Sequence, residues 1–139
     1  MTEKAAIVRI PNSSFVHALS AHPKKHRINV KLACIQHAWY VSALKAAGVR
    51  VIALPPLEDC PDATFVEDTV VIFDDVAVAC PMKKKSRQGE SASILEKIKK
   101  YRGVEKLSEP VSLDGGDVLN TKEKLLVGIS TRTNQEAAD

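Results

Sequence analysis

Two periods alternate along the chain, and each change of period marks an element. Ala5-Ala6-Ile7-Val8-Arg9-Ile10 is a short apolar run stopped by Pro11 and reads as a strand. Asn12-Ser13-Ser14 then supplies turn chemistry ahead of Phe15–Leu19, a loop with an apolar tip. Between Ile28 and Ala47 the residues Ile28, Leu32, Ile35, Trp39, Ala43 and Ala46 recur every three or four positions. That spacing predicts an amphipathic helix packed through this stripe, with Gly48 in the left-handed position after its end. Val49–Leu54 is a second strand, ended by Pro55-Pro56, so the first part of the chain reads strand, helix, strand.

Further on, Thr69–Phe73 and Val76–Cys80 flank Asp74-Asp75, the spacing of a tight antiparallel hairpin. A helix is expected from about Glu90 to Arg102, with Ile94, Leu95, Ile98 and Tyr101 on one stripe and Gly103 as its stop. Val104–Leu107 is a short strand, and Val118-Leu119 with Leu125–Ile129 form a second hairpin across Asn120–Lys124. Thr133 or Asn134 would cap a following helix.

Candidate chemistry gathers at the mouths of the two hairpins. Pro61-Asp62-Ala63-Thr64-Phe65-Val66-Glu67-Asp68 delivers three carboxylates and an aromatic ring to the first. Glu67 and Asp68 are expected on an extended segment, so that neighbouring side chains point to opposite sides. Asp114-Gly115-Gly116-Asp117 delivers a second acidic centre with glycines that permit close approach. Placing Asp68 over Asp117 superposes the hairpins at a repeat of about 50 residues. In each copy a serine followed within two residues by arginine, Ser86-Arg87 and Ser130-Thr131-Arg132, comes after the hairpin. Acids at the entries and guanidiniums at the exits suit a zwitterion carrying an extra cationic group, such as an amino acid with a basic side chain.

Composition narrows the alternatives. The 139 residues are 45% apolar and 27% charged, ordinary for a folded domain. A net charge of +3, with only 4% aromatic residues and none interleaved with Lys83-Lys84-Lys85 or Lys97–Lys100, argues against nucleic-acid binding. Cys34, Cys60 and Cys80 have no metal-ligand spacing, and their odd number points to reduced thiols and a cytoplasmic protein; no apolar run suits a membrane span. Neither a metal nor a cofactor is expected, and His17, His22, His26 and His37 are assigned no chemistry.

Leu54-Pro55-Pro56, Pro61-Asp62-x-x-Phe65-Val66-Glu67-Asp68, Ser86-Arg87, Leu113-Asp114-Gly115-Gly116-Asp117-Val118-Leu119 and Arg132-Thr133-Asn134 together resemble the dimethylarginine dimethylaminohydrolase family of guanidino-group-modifying enzymes. The resemblance implies an α/β fold, an incomplete propeller of the pentein type built from ββαβ repeats. Residues 1–139 would form the N-terminal part of a single domain and about half of a five-bladed ring. It implies hydrolysis of methylated arginine to citrulline and a methylamine through a cysteine nucleophile. Glu67 and Asp68 would hold the substrate guanidinium, Asp62 its α-amino group, and Arg87 and Arg132 its carboxylate. Phe65 would line the pocket, Leu19 would belong to a lid loop, and Asp114 would orient the catalytic histidine. That histidine and the nucleophile have no counterpart in this sequence, so the chain alone is expected to be inactive and to need a complementary half or a full-length copy. The loop Cys80–Gln88 departs from the family's P-G-x-x-S-R-R run. Two other readings are a non-catalytic interaction fragment and, in the complete enzyme, a deiminase acting on free arginine.

Overall fold

The computed structural model describes residues 4–139 and divides into two compact units, one ending at Thr64 and one spanning Phe65–Asp139. In the first, β1 (Ala5–Arg9) pairs in parallel with β2 (Arg50–Leu54), Ala5 opposite Arg50 and Arg9 opposite Leu54. The crossover is the helix α1 (Val30–Ala46). Asn29 caps its start by accepting a hydrogen bond from the Leu32 amide at 3.0 Å, and Gly48 takes φ +76° beyond its end.

The face that α1 packs is not the one the periodicity selects. Leu32, Ile35, Trp39, Ala43 and Ala46 are exposed, Trp39 at 66%. The half-buried stripe is Val30, Ala33, Cys34, His37, Val41 and Leu44. Both stripes have helical spacing, and α1 contains only Lys31 and Lys45 as fully charged residues, so polarity does not discriminate between its faces. Cys34 and His37 both lie on the packed stripe, where the Cys34 thiol donates to the Pro11 carbonyl at 3.4 Å and burial lowers the His37 pKa.

The second unit opens with a 3-10 turn, Val66–Thr69, and continues into β3 (Val70–Phe73) and β4 (Val76–Ala79). These strands pair antiparallel around Asp74-Asp75, with Asp74 at φ +46°. Helix α2 (Ser91–Ile98) leads to β5 (Gly103–Lys106), which pairs in parallel with β4, so the sheet order is β3-β4-β5 and the unit is ββαβ. Ile94, Leu95 and Ile98 are buried, as are Val70, Ala77 and Ala79 of the sheet. The helix ends short of the expected Arg102: the amides of Tyr101 and Arg102 both turn back to the Ile98 carbonyl, Tyr101 is exposed, and Gly103 starts a strand instead of stopping a helix. A second 3-10 turn, Gly115–Asp117, precedes the antiparallel pair β6 (Val118–Asn120) and β7 (Leu125–Val127). After Asn134 the chain winds into a 3-10 turn, Gln135–Ala137, without a side-chain cap.

Among the described residues no helix is long and apolar enough to cross a membrane. The fold is α/β, and each of its two hairpins is entered through a 3-10 turn that carries an acid.

Candidate active site

Asp62 and Leu19 meet within the first unit. Buried Asp62 accepts the Leu19 amide on both carboxylate oxygens, at 3.0 and 3.3 Å, while the Leu19 side chain stands in solvent. The chain is pinned nearby by buried Asn12, whose amide nitrogen donates to the Leu57 and Cys60 carbonyls, and by Thr64, whose hydroxyl donates to the Arg9 carbonyl. Two carboxylate oxygens sharing one donor leave the acid with acceptor capacity for a cationic amine.

In the second unit the two acidic turns touch. Glu67 and Asp68 lie in the 3-10 turn and not on a strand, because Thr69 folds its hydroxyl back onto the Val66 carbonyl at 2.8 Å and the Asp68 amide bonds to the Phe65 carbonyl. Against this turn lies Gly115-Gly116. A Cβ on Gly115 would run into the Glu67 carbonyl oxygen, and one on Gly116 would stand 3.0 Å from carboxylate oxygens of both Asp68 and Asp114. The paired glycines are therefore required by contact, and they bring Asp68 and Asp114 together. Glu67 and Phe65 are exposed beside them.

Six charged side chains form one cluster here. Arg87, 4% exposed, donates from Nε to both oxygens of Glu90 at 3.1 Å and from Nη2 to Glu90 at 2.9 Å. Its Nη1 donates to Oδ2 of Asp68 at 2.8 Å and lies 3.7 Å from Oδ2 of Asp114. Arg132, with 49% of its side chain exposed, approaches the same Asp114 oxygen through Nε at 3.4 Å and donates through Nη2 to Asp117 at 3.3 Å. Asp117 is further held by the hydroxyls of Ser130 and Thr133, each donating at 2.7 Å, and Thr133 Oγ1 in turn accepts the Asp114 amide. The repeat read from the sequence thus has a structural content: Asp68 pairs with Arg87 and Asp117 with Arg132, and both arginines converge on Asp114.

Charge states follow from these surroundings. Burial would lower the pKa of Arg87, but its hydrogen bonds to Glu90 and Asp68 raise it above its ordinary value. Burial raises the Asp114 carboxyl, against the opposing hydrogen bond from the Gly116 amide. Asp117 is held below the usual carboxylate range: burial works against this, but the Thr133 and Ser130 hydroxyls outweigh it. Oδ2 of Asp114 is buried and accepts no hydrogen bond among the described residues.

Of the sequence-derived site residues, Phe65, Glu67, Asp68, Arg87, Asp114 and Arg132 belong to this unit, and Leu19 and Asp62 to the other. Arg87 is placed differently from the expectation of a carboxylate clamp, because all three of its nitrogens face protein acids. Glu90 was not singled out, although an acid three residues after Arg87 at the start of a helix is a readable pairing signal. Cys60 and Cys80 are buried, and burial, reinforced by Asp114 and Asp68, pushes the Cys80 thiol up to about 12. Among the described residues no three histidine, cysteine or acidic side chains are placed to hold a metal ion.

The ββαβ unit and the hairpin that follows it gather four acids and two arginines into one charged cluster. Residues 11–139 match the family model for eukaryotic N,N-dimethylarginine dimethylhydrolase, and the chain belongs to that family. It is 38% identical over 135 residues to N(G),N(G)-dimethylarginine dimethylaminohydrolase of Streptomyces coelicolor, covering 96% of this chain and 52% of that one. The Pseudomonas aeruginosa enzyme of the same name is 36% identical, with 97% and 54% covered. A cysteine-to-serine variant of the Pseudomonas aeruginosa protein in complex with citrulline superposes with a TM-score of 0.90 at 31% identity, over 99% of this chain and 55% of that one. A dimethylarginine dimethylaminohydrolase carrying an S-methyl-L-thiocitrulline adduct gives a TM-score of 0.93 at 32% identity, over 99% and 54%. The chain spans about half the length of these relatives.

Proposed function

We propose that this chain forms the substrate-binding part of a hydrolase that converts N-methylated arginine to citrulline and a methylamine. The observation that carries this reading is the surplus of negative charge: Asp68, Glu90, Asp114 and Asp117 are set against only Arg87 and Arg132. Beside them Glu67 is exposed, and among the described residues Asp68 accepts one hydrogen bond, from Arg87 through Oδ2. Such a cluster favours a cation, and the paired oxygens of a carboxylate match two N–H groups of a guanidinium. Glu67 and Asp68 take the substrate guanidinium beside Phe65, and Arg132 takes its carboxylate through its exposed edge. Asp114 orients a histidine, which its unsatisfied buried oxygen is suited to do. The histidine and the cysteine nucleophile come from outside these residues. Support for this lies in the thiols present, since a buried Cys80 with a raised pKa supplies little thiolate. The ββαβ unit and the second hairpin are consecutive blades of a five-bladed ring.

Citrulline release from asymmetric dimethylarginine tests the proposal, using the chain alone and mixed with a second chain that supplies the remaining half of a relative. Citrulline is expected only from the mixture. Its appearance from the chain alone would overturn the assignment of the nucleophile, and its absence from the mixture would overturn the function. In the mixture, Asp68→Asn is expected to weaken substrate binding by roughly 1.5–3 kcal/mol, the worth of a hydrogen bond to a charged group.

A further inference from the structure

Arg87 lies among three acids, and the one with the most contacts to it is the one farthest from solvent. Glu90 is 0% exposed and closes a fork on Nε and Nη2. It stands immediately before α2, where an acidic side chain could cap the helix, yet it makes no capping hydrogen bond. Its carboxylate is turned to the arginine instead. With that edge occupied, Nη1 is the nitrogen presented to Asp68 and Asp114.

We infer that Glu90 is a positioning and specificity-determining residue: it neutralises Arg87 and fixes its orientation, so that Asp68 and Asp114 keep the negative charge that favours a cationic substrate over a neutral product. The inference rests on the proposed methylarginine-binding site. Its logic is charge counting. With four acids and two arginines the ionised cluster is negative by two, and a neutral side chain at position 90 would halve that surplus. The freed edge of Arg87 would also compete with the ligand for the same acids. The substrate guanidinium is a cation and the ureido group of citrulline is not, so Glu90 acts on the difference between them and not on their shared contacts. Around Asp114 the groups that sense such a change are Arg87, Arg132, Asp68 and the Cys80 thiol.

The test compares the wild-type chain with Glu90→Gln and Glu90→Asp, titrating each with asymmetric dimethylarginine and with citrulline by calorimetry and following the Asp114 carboxyl carbon by NMR across the acid range. Glu90→Gln is expected to lose about tenfold in affinity for the cation while citrulline binding changes by less than about twofold. The titration midpoint of Asp114 should fall, because a nearby negative charge has been removed. Glu90→Asp, which keeps the charge, should retain the preference for the cation. Equal weakening of both ligands, or an Asp114 midpoint that does not move, would overturn the inference in favour of a merely structural role. If the wild-type chain binds neither ligand, the proposed function fails for this chain, while the Asp114 midpoint in Glu90→Gln still decides the role of Glu90. Should Glu90→Gln not fold, Glu90→Asp decides: a retained preference supports the inference and a lost one overturns it.

Discussion

Arg87→Met is expected to lower the unfolding free energy of the Phe65–Asp139 unit by about 3–5 kcal/mol near neutral pH, the cost of removing one partner from a buried ion pair. Methionine approximates the aliphatic volume of the side chain, so the loss is electrostatic. It removes the arginine that faces Glu90, 0% exposed, and leaves Asp114, 1% exposed, with Arg132 as its remaining cation. The pH dependence identifies the mechanism. Asp114 already has a raised pKa in the folded chain, caused first by burial, and removing Arg87 deletes one of the charges that hold it down. A carboxyl whose folded pKa exceeds its unfolded value takes up protons preferentially in the folded state, so it costs stability at high pH and that cost disappears as pH falls through the folded value. The deficit of Arg87→Met should therefore shrink as the pH is lowered from about 7 to about 5, the direction in which Asp114 takes up its proton. Urea unfolding followed by circular dichroism at these two pH values measures it, and a deficit that is the same at both would show that lost packing, not stranded charge, is responsible.

Gly115→Ala should cost about 3 kcal/mol, at the upper end of ordinary overpacking. The atom in the way is the Glu67 backbone oxygen, which has no rotamer to escape into, so the two acidic turns must separate. Separation moves Asp68 from Asp114 and breaks the arrangement around Arg87. Gly128→Ala is the control, since a Cβ there meets only the Asp117 carbonyl at 3.5 Å, an ordinary contact. Thermal unfolding of both variants should show a large drop for the first and a small one for the second; equal drops would mean that the contact at Gly115 relaxes without displacing the turn.

Much of this fold follows from local pattern. The parallel pairing of β1 and β2 around a helix, the hairpin at Asp74-Asp75 and the core stripe of α2 each have one dominant period and clear turn residues. The packed face of α1 was not legible, because Leu32-Ile35-Trp39 and Val30-Cys34-Val41 satisfy the same period and few charges separate them. The acids were legible as a group but their geometry was not. Glu67 and Asp68 sit on a turn closed by a threonine hydroxyl, and strand propensity in Val70–Phe73 says nothing about where that strand begins. Arg87 and Glu90 show the same limit: sequence reports that they are three residues apart, whereas burial decides that the arginine serves protein acids. Gly115-Gly116 was legible as a point of close approach, but not what approaches it: the Glu67 carbonyl and the Asp68 and Asp114 carboxylates.

The exposed stripe of α1 has a spectroscopic consequence. Trp39 is the only indole in the chain, and it stands two-thirds in solvent within the first unit. Its emission is already that of a hydrated ring, open to collisional quenching by iodide, and it changes little when the helix unravels. Intrinsic fluorescence is therefore a poor reporter of unfolding for this molecule, but a sensitive one for anything that comes to lie on that helix and shields the ring from water.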